Sequence, residues 1–116
     1  MTTAPVELAT GDVVWTTLEP VRGREQGGHR PVLVVASNGF LSAVTTLAIV
    51  LPITSKDRGW PNHVRMTGPT LLRVPSWAMT EQVRTISRDR MSRRAGHIDE
   101  ACLVVIRQYL RDFFDL

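Results

Sequence analysis

The side chains best suited to chemistry stand in three short stretches. The first, Arg22 to Pro31, reads R-G-R-E-Q-G-G-H-R-P and sets Arg22, Arg24 and Arg30 beside Glu25, His29 and three glycines. A loop does not need so much charge in order to fold, whereas an acidic polymer would be gripped by it. Glu25 and His29 carry groups suited to proton transfer. An imidazole titrates near neutrality, and a carboxylate whose pKa is raised can accept a proton from a hydroxyl. Pro31 biases Arg30 towards extended backbone, so this side chain leaves from the opening of a strand rather than from the loop. A guanidinium stays charged at any working pH; it can neutralise charge growing on a phosphorane-like transition state but cannot shuttle a proton. Taken by itself, the residue reads more simply as a surface arginine ahead of a proline.

The second stretch, Leu51 to Lys56, is an apolar run ending in L-P-I-T-S-K. Thr54 and Ser55 at a strand end, beside Lys56, could meet Arg30 across a sheet and form a small phosphate-facing site. A threonine hydroxyl is a poor base but can donate a hydrogen bond to a phosphate oxygen and help fix in-line geometry. Threonine at a strand end is also simply a good strand former. In the third stretch, Ala78 to Ser87, polar groups alternate, so that Gln82 and Arg84 share one strand face and Glu81 and Val83 the other. Ser37, Arg22, Arg24, Lys56 and Arg58 are further candidates to line a groove, and Trp60 could stack an unpaired base or serve a protein interface. Trp77 reads as core or dimer contact, and the basic run Arg88 to Arg94 as a solvated face. Three scattered histidines and one cysteine offer no metal-ligand spacing, so His63 and His97 read as structural or surface residues and no metal or other cofactor is expected.

Positioning these groups falls to short strands and one helix. Asp12 to Thr17 is β-branched and aromatic, bounded by Gly11 and by Glu19-Pro20, and reads as a strand. Pro31 to Ser37 is a continuous apolar run, expected of a strand buried on both sides. Ser37-Asn38-Gly39 is turn chemistry, with one helical turn over Phe40 to Ala43. Strands follow over Thr45 to Ile53, His63 to Met66, Leu71 to Val74 and Met79 to Ile86, while Asp89 to Gly96 reads as a basic helical turn or loop. Asp99 is a natural N-cap; beyond it Leu103, Ile106, Leu110 and Phe113 or Phe114 recur at helical spacing, with Arg107, Arg111 and Asp112 on the other face. Short strands plus a terminal helix predict a mainly β, α+β domain shaped as a small β-barrel rather than a parallel α/β sheet.

With 116 residues the chain suits one core, expected over residues 11–116 after a tail over 1–10. An apolar content of 43%, a charged content of 22% and no long apolar run predict a globular, cytoplasmic protein without a membrane partner. The single Cys102 has no intrachain disulfide partner, in keeping with a reducing compartment. Of 14 basic residues only Lys56 is lysine. That skew fits a nucleic-acid partner, because guanidinium grips phosphate through two bonds and stacks on bases, and it equally fits a GC-rich coding bias.

Four motifs in order, G-D-V-V-W at Gly11 to Trp15, E-Q-G-G-H-R-P at Glu25 to Pro31, P-I-T-S at Pro52 to Ser55 and E-Q-V-R-T-I at Glu81 to Ile86, give the chain a resemblance to the MazF/PemK/Kid family of toxin endoribonucleases. The resemblance implies a curled SH3-like barrel of the CcdB/MazF type with the C-terminal helix packed on it. It also implies metal-independent cleavage of single-stranded RNA by 2′-hydroxyl attack, with Arg30 and Thr54 as the catalytic pair and Glu25 and His29 as candidate proton carriers. The residues expected from their own chemistry to bind the RNA are Arg22, Arg24, Ser37, Lys56, Trp60, Gln82 and Arg84. A homodimer and a MazE-like antitoxin with an acidic flexible tail complete the implied assembly. Glu81 stands where family members commonly present aspartate. Two other classes compete: a non-catalytic nucleic-acid-binding module on the same barrel, and a gyrase inhibitor of the CcdB type. The latter acts through a C-terminal tryptophan, and here none follows Trp77.

Overall fold

The computed structural model describes residues 7–17 and 29–116. Strands β1 (Asp12–Thr17), β2 (His29–Val34), β3 (Leu47–Thr54), β4 (His63–Arg65), β5 (Trp77–Met79), β6 (Arg84–Ser87) and β7 (Met91–His97) are joined by helices α1 (Asn38–Ala43) and α2 (Glu100–Phe114). The sheet is antiparallel and runs β4-β5-β3-β2-β1-β7, with β6 also paired to β3. Two strands therefore share one side of β3: β6 takes Leu47 to Val50, and β5 takes Ile53 and Thr54. The α+β class with a terminal helix is as expected, but among the described residues the strand path stays open instead of closing into a barrel.

Alternation along the central strands builds two cores. Val13, Leu33 and Leu51 join Val64, Met66, Ala78 and the buried face of α2 in one cluster. Val14, Val32, Val34 and Val50 join Ala48, Leu41, Ile86 and Met91 in the other. Successive side chains of a strand point to opposite faces, so an uninterrupted apolar run is what a strand between two cores requires. The reading of Pro31 onward as doubly buried therefore holds. α2 starts where Asp99 accepts a hydrogen bond from the Cys102 amide at 2.8 Å, and it seats Cys102, Leu103 and Ile106 against the first cluster.

Three local expectations fail for identifiable reasons. The segment from Met79 to Ile86 is not one strand: a turn divides β5 from β6, closed by the Gln82 amide donating to the Met79 carbonyl at 3.1 Å. Leu71 to Val74 is irregular; Leu71 has φ of 60° and is 74% exposed. Asp89 to Gly96 is mostly strand β7, paired along β1 with two register shifts. Its charge misled because β7 lies at an end of the strand path, and there Arg94 reaches buried Asp12 at 3.2 Å. Gly96 in β7 is needed for a different reason: a Cβ there would run into the Pro69 carbonyl oxygen.

Candidate active site

β2 and β3 pair with Val32 opposite Pro52 and Leu33 opposite Leu51. Two residues beyond that ladder stand Arg30, paired with Thr16 of β1, and Thr54, paired with Trp77 of β5, and both residues line one cleft of about 1030 Å³. His29, Ser55, Gln82 and Arg84 line it as well. Arg30 and His29 are exposed, and Thr54 is half-buried. The Thr54 hydroxyl oxygen accepts from the Lys56 amide at 3.1 Å and from Arg58 Nη1 at 3.4 Å. Both lone pairs are thus engaged, which leaves the hydroxyl proton as the group on offer to an incoming oxygen.

Five guanidiniums line the cleft, those of Arg30, Arg58, Arg73, Arg84 and Arg93, and among the described residues no carboxylate does. One sign of charge in a concave surface focuses the field and raises the local concentration of an anionic ligand. Arg93, from the basic run read as a solvated face, is exposed and also belongs to the cleft lining. Its guanidinium lies 5.5 Å from the centre of the Trp15 ring, and Trp15 faces the cleft too. Arg88, from the same run, donates to the Leu47 carbonyl at 3.0 Å and the Leu41 carbonyl at 2.6 Å and so ties β3 to α1. The register of Trp15 with Arg93 places the latter, and no signal within residues 88–94 announces it.

Other candidates lie elsewhere. The Ser37 hydroxyl accepts from the Phe40 amide at 3.0 Å and caps α1, at the opposite end of β2 from Arg30. Lys56 and Trp60 are exposed and are not part of the cleft lining, and Trp60 packs on His63 with ring centres 4.7 Å apart. Glu25, Arg22 and Arg24 lie outside the described residues. Trp77 is half-buried under the Arg65 guanidinium, 5.5 Å away. No group of three His, Cys, Asp or Glu among the described residues could hold a metal ion, and no helix there is long and apolar enough to cross a membrane.

Residues 9–114 match the family model described as PemK-like, MazF-like toxin of type II toxin-antitoxin system. The chain belongs to this family. Endoribonuclease EndoA of Bacillus subtilis is 34% identical over 104 residues, 87% of this chain and 89% of that protein. Endoribonuclease toxin MazF of Escherichia coli is 32% identical over 98 residues, covering 84% and 85% respectively. The fold matches a crystal structure of MazE-MazF from Deinococcus radiodurans with a TM-score of 0.77 and 29% identity, over 94% of this chain and 96% of that one.

Proposed function

We propose that this chain is the endoribonuclease toxin of a type II toxin-antitoxin pair and cuts single-stranded RNA in the cleft between the ends of β2 and β3. The convergence of Arg30 and Thr54 in one cleft rimmed by guanidiniums carries this reading. Two relatives that share about a third of its residues are named endoribonucleases. In the proposed reaction a ribose 2′-oxygen attacks the adjacent phosphorus and the 5′-oxygen departs, which leaves a 2′,3′-cyclic phosphate and a 5′-hydroxyl. A base removes the 2′ proton and an acid returns one to the leaving oxygen; Glu25 and His29 are the proposed carriers. Arg30 neutralises the charge that grows on the equatorial oxygens, and Thr54 donates a hydrogen bond that holds one of them. The nucleophile belongs to the substrate, so no metal is required to make one. In-line attack needs a backbone rotated out of A-form geometry, hence the single strand.

Gln82 and Arg84 read the strand on one side, with Arg22, Arg24, Lys56 and Trp60 flanking it. Residues 11–116 act as one toxin domain in the cytoplasm, as a homodimer whose groove runs between subunits. An antitoxin with an acidic flexible tail occupies the cleft in competition with RNA, a role suited to the charge there. Arg30→Ala tests the proposal: cleavage of a long RNA is expected to fall at least ~100-fold with an unchanged melting temperature. Full activity in this variant removes Arg30 from the mechanism. Loss of wild-type activity in chelator, restored by Mg²⁺, would show a metal-dependent reaction instead.

A further inference from the structure

Beside the cleft, a carboxylate collects every donor around it. Glu81 Oε2 receives His63 Nε2 at 3.0 Å and Gln82 Nε2 at 3.3 Å, and Oε1 receives Asn62 Nδ2 at 2.9 Å. His63 is buried, with its side chain 2% exposed, and it lies against Trp60. Its Nδ1 has no partner, so the link to Glu81 is the ring's one hydrogen bond. An ionised carboxylate only accepts, so Nε2 of His63 carries the proton in this contact. Burial alone would raise the Glu81 pKa, but the hydrogen bonds from His63, its own backbone and Gln82, with the His63 charge, outweigh it and hold the group below the ordinary carboxylate value.

Gln82 is the member of this network that lines the cleft. Its amide nitrogen has two hydrogens, and both are taken by neighbouring side chains: one by Glu81, the other by the Met79 sulfur at 3.7 Å. Turning the amide over would set its carbonyl oxygen against the Glu81 carboxylate, two acceptors facing each other. The chemistry of the neighbours therefore fixes which end of Gln82 is shown. The free end is an acceptor.

We propose that Glu81, anchored by His63, is a positioning residue that locks Gln82 with its carbonyl oxygen towards the cleft, so that this site reads the group at purine C6 or pyrimidine C4 and selects the amine of adenine or cytosine over the keto oxygen that guanine or uracil carries there. The inference rests on the nuclease reading above and names how that site discriminates. A site built around one buried or fixed polar group rejects the analogue that leaves it unpaired far more strongly than a merely apolar pocket does.

The test starts from the 5′-hydroxyl fragment ends that the wild type produces from a long RNA, which define the cleaved sequence. Two short single-stranded RNAs are then compared that differ only at the position Gln82→Ala relaxes. The wild type is expected to favour the amino base there, and replacing its amine by hydrogen in the RNA costs roughly tenfold in kcat/KM. Glu81→Gln lets the neighbouring amide turn, so the ratio of amino to keto cleavage falls about tenfold, with a gain on the keto RNA. A merely structural lesion lowers both and gains on neither. Three outcomes overturn the proposal: a keto preference at that position, a ratio unmoved in Glu81→Gln while Gln82→Ala relaxes it, or an equal loss on both RNAs. The amine-to-hydrogen comparison uses unaltered protein and stands even if Glu81→Gln folds poorly. Absence of fragments from any RNA with the wild type refutes the nuclease reading itself, a result separable from the other three.

Discussion

Replacing Thr54 by valine removes a hydroxyl and adds a methyl, keeping the β-branched shape that β3 favours. In the structure the hydroxyl oxygen takes two hydrogen bonds, from the Lys56 amide and Arg58, and its proton remains for the substrate phosphate. A hydrogen bond to a charged oxygen contributes about 1.5–3 kcal/mol. Its loss corresponds to roughly 10–150-fold in kcat/KM. Stability should change far less, by under ~1 kcal/mol, because the orphaned Lys56 and Arg58 donors are exposed and water replaces Thr54. Single-turnover cleavage of a short RNA separates the two, read beside a melting curve. Thr54→Ser restores the hydroxyl without the methyl and should recover most of the rate. Wild-type rates in the valine variant would refute the argument. So would a serine variant as slow as valine, which would assign the effect to shape rather than to the donated proton.

Two further outcomes follow from the scaffold. Gly96→Ala should destabilise the fold by about 1–3 kcal/mol, measured by urea unfolding, because the added Cβ meets backbone at Pro69 and Thr70 rather than a side chain able to move; an unchanged midpoint would show that this crossing is looser than described. Burial is the largest influence on the Cys102 thiol and raises its pKa from the ordinary 9.0. A thiol reagent at pH 8 should therefore react at least about tenfold more slowly with native protein than with unfolded chain. By the same linkage, the stability gained by keeping this thiol protonated is complete below 9.0 and is lost as pH rises through the higher folded value. Equal reaction rates in the two states would contradict the buried placement.

What the sequence disclosed is what local chemistry dictates. β1 is announced by its β-branched and aromatic residues, β2 by its apolar run and α2 by its helical spacing, and Asp99 marks the start of α2. Arg30 and Thr54 were legible as a pair because proline and strand patterning place each at a strand end, where an antiparallel partner could bring them together. Arg93 was not legible, because its place depends on β7 pairing with β1, a contact between residues far apart in sequence. Leu71 and Val74 look like strand residues by type, yet they stand exposed on the cleft wall. Apolar side chains presented to solvent beside a charged cleft break the pattern by which strands are recognised. Ser37 was misassigned for a simpler reason: a serine ahead of Asn-Gly-Phe caps a helix as readily as it binds a phosphate, and the Phe40 amide claims it.

The two cores also explain how a sheet can hold a guanidinium and a hydroxyl in register. Val32, Leu33 and Val34 on β2, with Val50 and Leu51 on β3, are fully buried, and they alternate between the two clusters. A slip of one residue between these strands would send Leu33 into the space of a valine and each valine into the wrong core. The penalty for misregister thus falls on buried side chains just inside the cleft lining, none of which belongs to it. Arg30 and Thr54 stand beyond the last rung between β2 and β3, where Arg30 is paired with Thr16 of β1 and Thr54 with Trp77 of β5, so strand pairing anchored in the cores sets where both emerge. This frees both to be exposed enough to meet a substrate. It also accounts for the division of the molecule into a rigid interior that sets geometry and a charged rim whose residues come from loops and strand ends.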